Sequence, residues 1–169
     1  MARTHPQPPT VRFYQLASMS LEAALVGILG KAWERGLRVC LVARDARQAQ
    51  RLDDLLWINP PQQFLPHGLW NGADPALQPL LIALEPDERN EATVLVLAAP
   101  HLVAAPLAFD LIVDFVAGAD AGTLAASRDR YRHYRDLGCQ MEYWTQTPLG
   151  GWQRQGERES GTAGVPEPG

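Results

Sequence analysis

Cys40 and Cys139 are the only two thiols in the chain, and they stand far apart in sequence, so nothing supports a disulfide framework. No apolar stretch reaches the roughly 18 residues that a membrane-spanning helix needs. The first ten residues contain Arg3, His5 and three prolines but no apolar core, which excludes a secretory signal in them. These absences make the cytoplasm the expected compartment. A strong charge is lacking as well: the net value of −4 gives no global pull toward nucleic acid or an anionic membrane. With 46% hydrophobic and 20% charged residues, the composition is that of an ordinary folded protein, and 169 residues suit one domain.

The motifs of catalysis are missing in turn. Gly27 and Gly30 before Lys31 imitate part of a phosphate loop, yet Leu25 stands where its first glycine belongs and Ala32 where a magnesium-binding Ser or Thr is needed. Both glycines fall inside an amphipathic helix, where small residues serve close packing. No GxGxxG follows a strand. His5, His67, His101 and His133 occupy four different segments without a second His or Cys at ligand spacing, so they read as structural or exposed and no metal or other cofactor is expected. There is no GxSxG elbow, and Ser18, Ser20, Ser127 and Ser160 have no evident base nearby in sequence. Asp53 and Asp54, beside Arg51, read as a solvated helix face.

What is present is an alternation of strand and helix patterns. Val11 to Leu16 suits a strand, and residues 21 to 33 place Leu21, Ala24, Leu25, Ile28, Leu29, Ala32 and Trp33 on one helical face, with Ser20 as cap and Gly36 as stop. Arg38 to Ala43 suits a buried strand, and Asp45 opens a second helix that Asn59-Pro60-Pro61 ends. Leu80 to Leu84, Thr93 to Ala98 and Leu111 to Val116 supply three more strands, and a last helix spans about Gly122 to Leu137. The expected fold is one α/β domain over residues 1–148, a mostly parallel, Rossmann-like sheet of about five strands flanked by helices. Residues 149–169, rich in Gly, Pro and charge, are expected to be a disordered tail.

Two segments stand out from this frame. With Leu52 at zero on a helical wheel, Leu56, Leu55 and Ala49 fall within roughly 60° while Trp57 lies about 140° away, outside the buried stripe. Phe64, Leu65, Leu69 and Trp70 follow in a segment broken by Pro66 and Gly68, which is either an interaction surface or a loop folded back on the core. In the last helix, Arg128, Arg130, Arg132 and Arg135 face only Asp129, and Arg128, Tyr131, Arg132 and Arg135 share one face. Such a face can take an acidic peptide with an aromatic end, take a nucleic-acid backbone with a base stacked on Tyr131, or remain a solvated basic surface.

The segments FYQL (13 to 16), KAWERGLRVCLVA (31 to 43), RLDDLLWINPPQQFLPH (51 to 67), IVDFV (112 to 116) and RDRYRHYRDLG (128 to 138) resemble the chi subunit family of bacterial DNA polymerase III, over roughly residues 11 to 144. Leu56-Trp57, Pro60, Phe64 and Pro66-His67 carry the most specific part of the likeness. The resemblance implies a non-catalytic accessory subunit of the clamp-loader complex. Such a subunit binds the acidic C-terminal tail of single-stranded DNA-binding protein, and also a psi subunit or a repair helicase. It further implies a tail-binding pocket at Arg128, Tyr131 and Arg132 with Val116, to which the charge pattern adds Arg135, and a second surface at Trp57 and Phe64. Leu124, Ala125 and Ala126 stand where chi-like proteins can place a further lysine, which shifts the expected weight onto Arg128, Arg132 and Arg135. The alternative function is direct binding of single-stranded nucleic acid through the same arginines, against which the acidic net charge argues.

Overall fold

The structure, a computed structural model, describes residues 7–58 and 64–156. Strand β1 (Thr10–Gln15) leads into helix α1 (Leu21–Glu34), and β2 (Val39–Val42) leads into α2 (Ala46–Ile58). Strands β3 (His67–Leu69), β4 (Leu80–Ala83), β5 (Val94–Leu97) and β6 (Leu111–Val116) follow, then α3 (Ala121–Asp136), β7 (Gln140–Gln146) and β8 (Trp152–Gln155). One sheet holds all eight strands in the order β3-β4-β2-β5-β6-β1-β7-β8. Every neighbouring pair is parallel except β7 and β8. The expected α/β class with a mostly parallel sheet is observed, with three strands more than the five read from the sequence.

Local chemistry sets the helix ends as expected. The Ser20 hydroxyl accepts the Ala23 N–H at 3.1 Å, and at the other end of α1 the N–H of Leu37 reaches the Ala32 carbonyl at 2.9 Å across Gly36, whose φ of 70° favours glycine. The stop at Asn59-Pro60-Pro61 lies outside the described residues. Gly30 is buried against the core, but Gly27 is not a packing glycine: a Cβ there would meet nothing within 4 Å, and the residue borders a small cavity of about 130 Å³ beside Tyr14, Lys31 and Trp152.

Side-chain alternation along the strands divides the core in two. Tyr14, Leu41, Ile82, Val96, Val113, Phe115 and Trp144 pack under α1 and α2, whereas Val11, Phe13, Cys40, Val42, Leu95, Ile112 and Val116 pack on the α3 side. On that second face α3 does not cover everything. The parallel crossovers from β4 to β5 and from β5 to β6 contain no α-helix, and their loops bury Ala92, Val103 and Phe109 in its place. Tyr134 of α3 ties one of these loops down: its hydroxyl accepts the Val103 N–H at 3.0 Å and donates to the His101 carbonyl at 3.3 Å.

Part of the expected disordered tail is a strand. Trp152–Gln155 pairs antiparallel with Tyr143–Gln146 through a tight turn in which the Thr147 N–H bonds the Gly151 carbonyl at 2.8 Å. Trp152 also meets the Tyr14 ring edge-on at 4.9 Å, so this half-buried aromatic anchors a segment whose composition alone reads as unstructured. Residues 157–169 of that tail lie outside the described residues.

Candidate protein-binding surfaces

Helix α3 starts at Asp120, whose carboxylate accepts the Thr123 N–H at 2.9 Å, and it lies over β6, β1 and β7. Its arginines divide into different roles. Arg130 points into the core, where Nε and one terminal nitrogen donate to the two Asp114 oxygens at 2.7 and 2.9 Å. Burial pushes the Asp114 carboxyl up and the Arg130 guanidinium opposes that shift. Arg130 is therefore not part of the surface charge, and the local excess of three read from the sequence shrinks accordingly. Arg132 pairs with the exposed Asp129 one turn earlier. Arg128 makes no hydrogen bond or ion pair among the described residues.

Arg128, Tyr131 and Arg132 do come together. With Ser127, Tyr143, Gln155 and Gly156 they line an open pocket of about 490 Å³. Its aromatic wall is fixed from below by Phe13, whose ring lies 5.6 Å from that of Tyr131 and stacks on that of Tyr143 at 6.1 Å. The Tyr143 hydroxyl donates to Gln15 Oε1 at 3.2 Å. Burial raises the Tyr143 phenol, partly offset by the nearby Arg128 charge, so the ring presents a neutral hydroxyl beside that guanidinium at neutral pH.

Two expected pocket residues are placed elsewhere. Val116 is completely buried in the core beneath α3 and does not line the pocket. The strand end that carries it points the side chain to the α3 face, where the helix covers it. Arg135 shares the helix face but lies a turn beyond the pocket, with Asp136 as its partner at 3.5 Å. Ser127, Tyr143 and Gln155 were not identified from sequence. The alternation of Met141 and Tyr143 with Glu142 and Trp144 was the available signal for the strand that presents Tyr143.

The second surface forms at the other end of the sheet. Trp57 and Phe64 are both more than half exposed, at 58% and 56%, and their rings lie 5.4 Å apart. Ile58 follows Trp57 in sequence and is exposed too. Trp57 rests on His67 at 5.0 Å between ring centroids. That imidazole is buried, with Nδ1 2.7 Å from the Leu65 carbonyl and Nε2 3.2 Å from Asp53 Oδ1. Asp53 is therefore not simply solvated, and the imidazole it faces is the platform for Trp57. The segment after Phe64 turns inward: Leu65 is buried, and His67–Leu69 forms the edge strand β3 in place of a loop. The folded-back reading holds from Leu65 onward, whereas Phe64 stays exposed beside Trp57.

The sheet order separates the two surfaces. Strand β3, beside His67, is one edge and β8, beside Gln155, is the other. Seven strand spacings between them correspond to about 33 Å.

Nothing among the described residues groups three or more His, Cys, Asp or Glu for a metal ion, and no helix is long and apolar enough to cross a membrane. The loop after β1, which in phosphate-binding α/β folds offers its amides to an anion, is closed from within. Gln146 Oε1 accepts the N–H groups of Ala17, Ser18 and Met19 at 3.0, 2.9 and 3.0 Å.

Comparison with known proteins adds a consistent likeness. The family model described as DNA polymerase III chi subunit, HolC, matches residues 9–142. The DNA polymerase III subunit chi of Escherichia coli K12 is 32% identical over 124 residues, covering 72% of this chain and 83% of that relative. That of Pseudomonas aeruginosa is 30% identical over 138 residues, covering 78% and 93%.

Proposed function

The chain belongs to the DNA polymerase III chi subunit family, and on that premise we propose that this replication accessory subunit is a non-catalytic adaptor in the clamp-loader complex. Its pocket at Arg128, Tyr131 and Arg132 takes the acidic C-terminal tail of single-stranded DNA-binding protein. Its Trp57 and Phe64 surface takes a psi subunit or a repair helicase. The chain works without a cofactor, in the cytoplasm, and reaches single-stranded DNA through the protein that coats it. The observation that carries this reading is the pocket: a guanidinium with no partner among the described residues stands beside two aromatic rings, which suits a carboxylate next to an apolar side chain.

The separation of the two surfaces supports a bridge, since partners at opposite sheet edges do not compete for space. The charge arrangement also favours a short acidic peptide over bare DNA. With Arg130 held inside the core, α3 turns only the short cluster Arg128, Arg132 and Arg135 outward, which suits a short peptide better than a long phosphate backbone.

Simultaneous capture tests the proposal. Immobilised single-stranded DNA-binding protein should retain the wild-type chain together with psi or the helicase. Arg128→Ala should lose the first contact alone and Trp57→Ala the second alone. Tight binding of a bare oligonucleotide, with no capture by the coating protein, would instead favour the direct nucleic-acid reading.

A further inference from the structure

Strand β8 lies past residue 142, where the family match ends, yet Gln155 and Gly156 form one wall of the arginine pocket. A second open cavity of about 400 Å³ continues from the first, lined by Gln15, Leu124 and Thr145 and by four residues common to both, Ser127, Arg128, Tyr143 and Gln155. The two cavities therefore make one groove between α3 and the β7–β8 edge, and Arg128 and Gln155 border it along its length.

Pairing across the hairpin places Gln155 opposite Tyr143, on the face of the sheet that α3 covers. Its amide nitrogen donates to Thr145 Oγ1 at 2.7 Å, which fixes the side chain against β7. The strand reads Trp-Gln-Arg-Gln and carries no acid, so this bank of the groove is neutral or basic. An amide in that position can hydrogen-bond the main chain of an extended peptide without repelling its carboxylates, while Arg128 attracts them from α3.

We propose that β8 is a second bank of the tail-binding groove and that Gln155 is a specificity-determining residue for acidic peptides, a role that rests on the tail-binding reading above. A carboxylate at this position would pair with Arg128 and repel the ligand; a methyl group would only remove a hydrogen bond.

The test is fluorescence anisotropy with a labelled peptide ending in the acidic tail of single-stranded DNA-binding protein, using the full chain and checking each variant for an unchanged melting curve. Gln155→Glu should weaken binding roughly tenfold, as expected for a like charge a few ångströms from the ligand in partly solvated surroundings. Gln155→Ala should weaken it about threefold, as for loss of one neutral hydrogen bond. Gln153→Glu makes the same charge change on the same strand but does not line the groove, and it should stay within about twofold of wild type. Equal affinities for Gln155→Glu and Gln153→Glu, with Arg128→Ala still weakened, would overturn the role of Gln155 and leave the tail-binding reading standing. A wild-type chain that fails to bind the peptide would overturn both.

Discussion

Asp114 on β6 holds Arg130 on α3 by two hydrogen bonds within the core, and that contact removes one of the four arginines of the helix from its surface. Removing the guanidinium strands a buried carboxylate. Arg130→Ala should therefore cost about 3–5 kcal/mol of stability. Urea unfolding measures it, and a loss below about 1 kcal/mol would show that the pair does not fasten α3 to the sheet. Because Arg130 does not line the pocket, the folded fraction of this variant should bind the acidic peptide as the wild type does.

Gln146 fastens the opposite side of the same region. Its one carbonyl oxygen satisfies three successive amides of the loop between β1 and α1. These amides are partly within reach of water, so Gln146→Leu should destabilise by about 1 kcal/mol, the net worth of such bonds when solvent can replace them. Gln146→Glu keeps the acceptor and adds the charge that clustered amides favour. Its unfolding midpoint at neutral pH should equal or exceed that of the wild type, and a drop as large as that of the Leu variant would contradict the arrangement.

Both thiols are shielded. Burial pushes the Cys40 thiol up to about 12 and raises that of Cys139 as well, so neither carries much thiolate near neutrality. An Ellman titration at pH 8 should find no fast-reacting thiol in the native protein and two after unfolding in urea. A native thiol that reacts within seconds would mean that one strand or helix end opens readily.

Much of the fold was legible because the central strands and α1 carry continuous or periodic apolar patterns. The edges were not. Strand β3 has three residues with a glycine in the middle, and β8 is polar except for Trp152, so both depend on pairing partners that local pattern does not reveal. Strand β7 has core on both faces at its Trp144 end and groove residues beside it, which blurs the two-residue alternation.

The site was legible in part for the same reason. Helical spacing brought Arg128, Tyr131 and Arg132 to one face, but it could not show that Asp114, an acid inside the apolar run Ile-Val-Asp-Phe-Val, claims Arg130. That lone acid was the signal that an internal cation should be sought. Val116 sits at a strand end, yet the helix that follows folds back over it, and only the tertiary arrangement decides which of its neighbours face the groove. Trp57, by contrast, was placed outside the buried stripe by its angle alone, and it is exposed.

The central claim is that the Arg128 guanidinium receives the carboxylates of an acidic tail. Titrating wild-type and Arg128→Ala protein with the tail peptide of single-stranded DNA-binding protein measures this directly. The account predicts a loss of about 1.5–3 kcal/mol, a charge-assisted hydrogen bond, in the variant and weaker wild-type binding as salt rises. Equal affinity of the two proteins would contradict it.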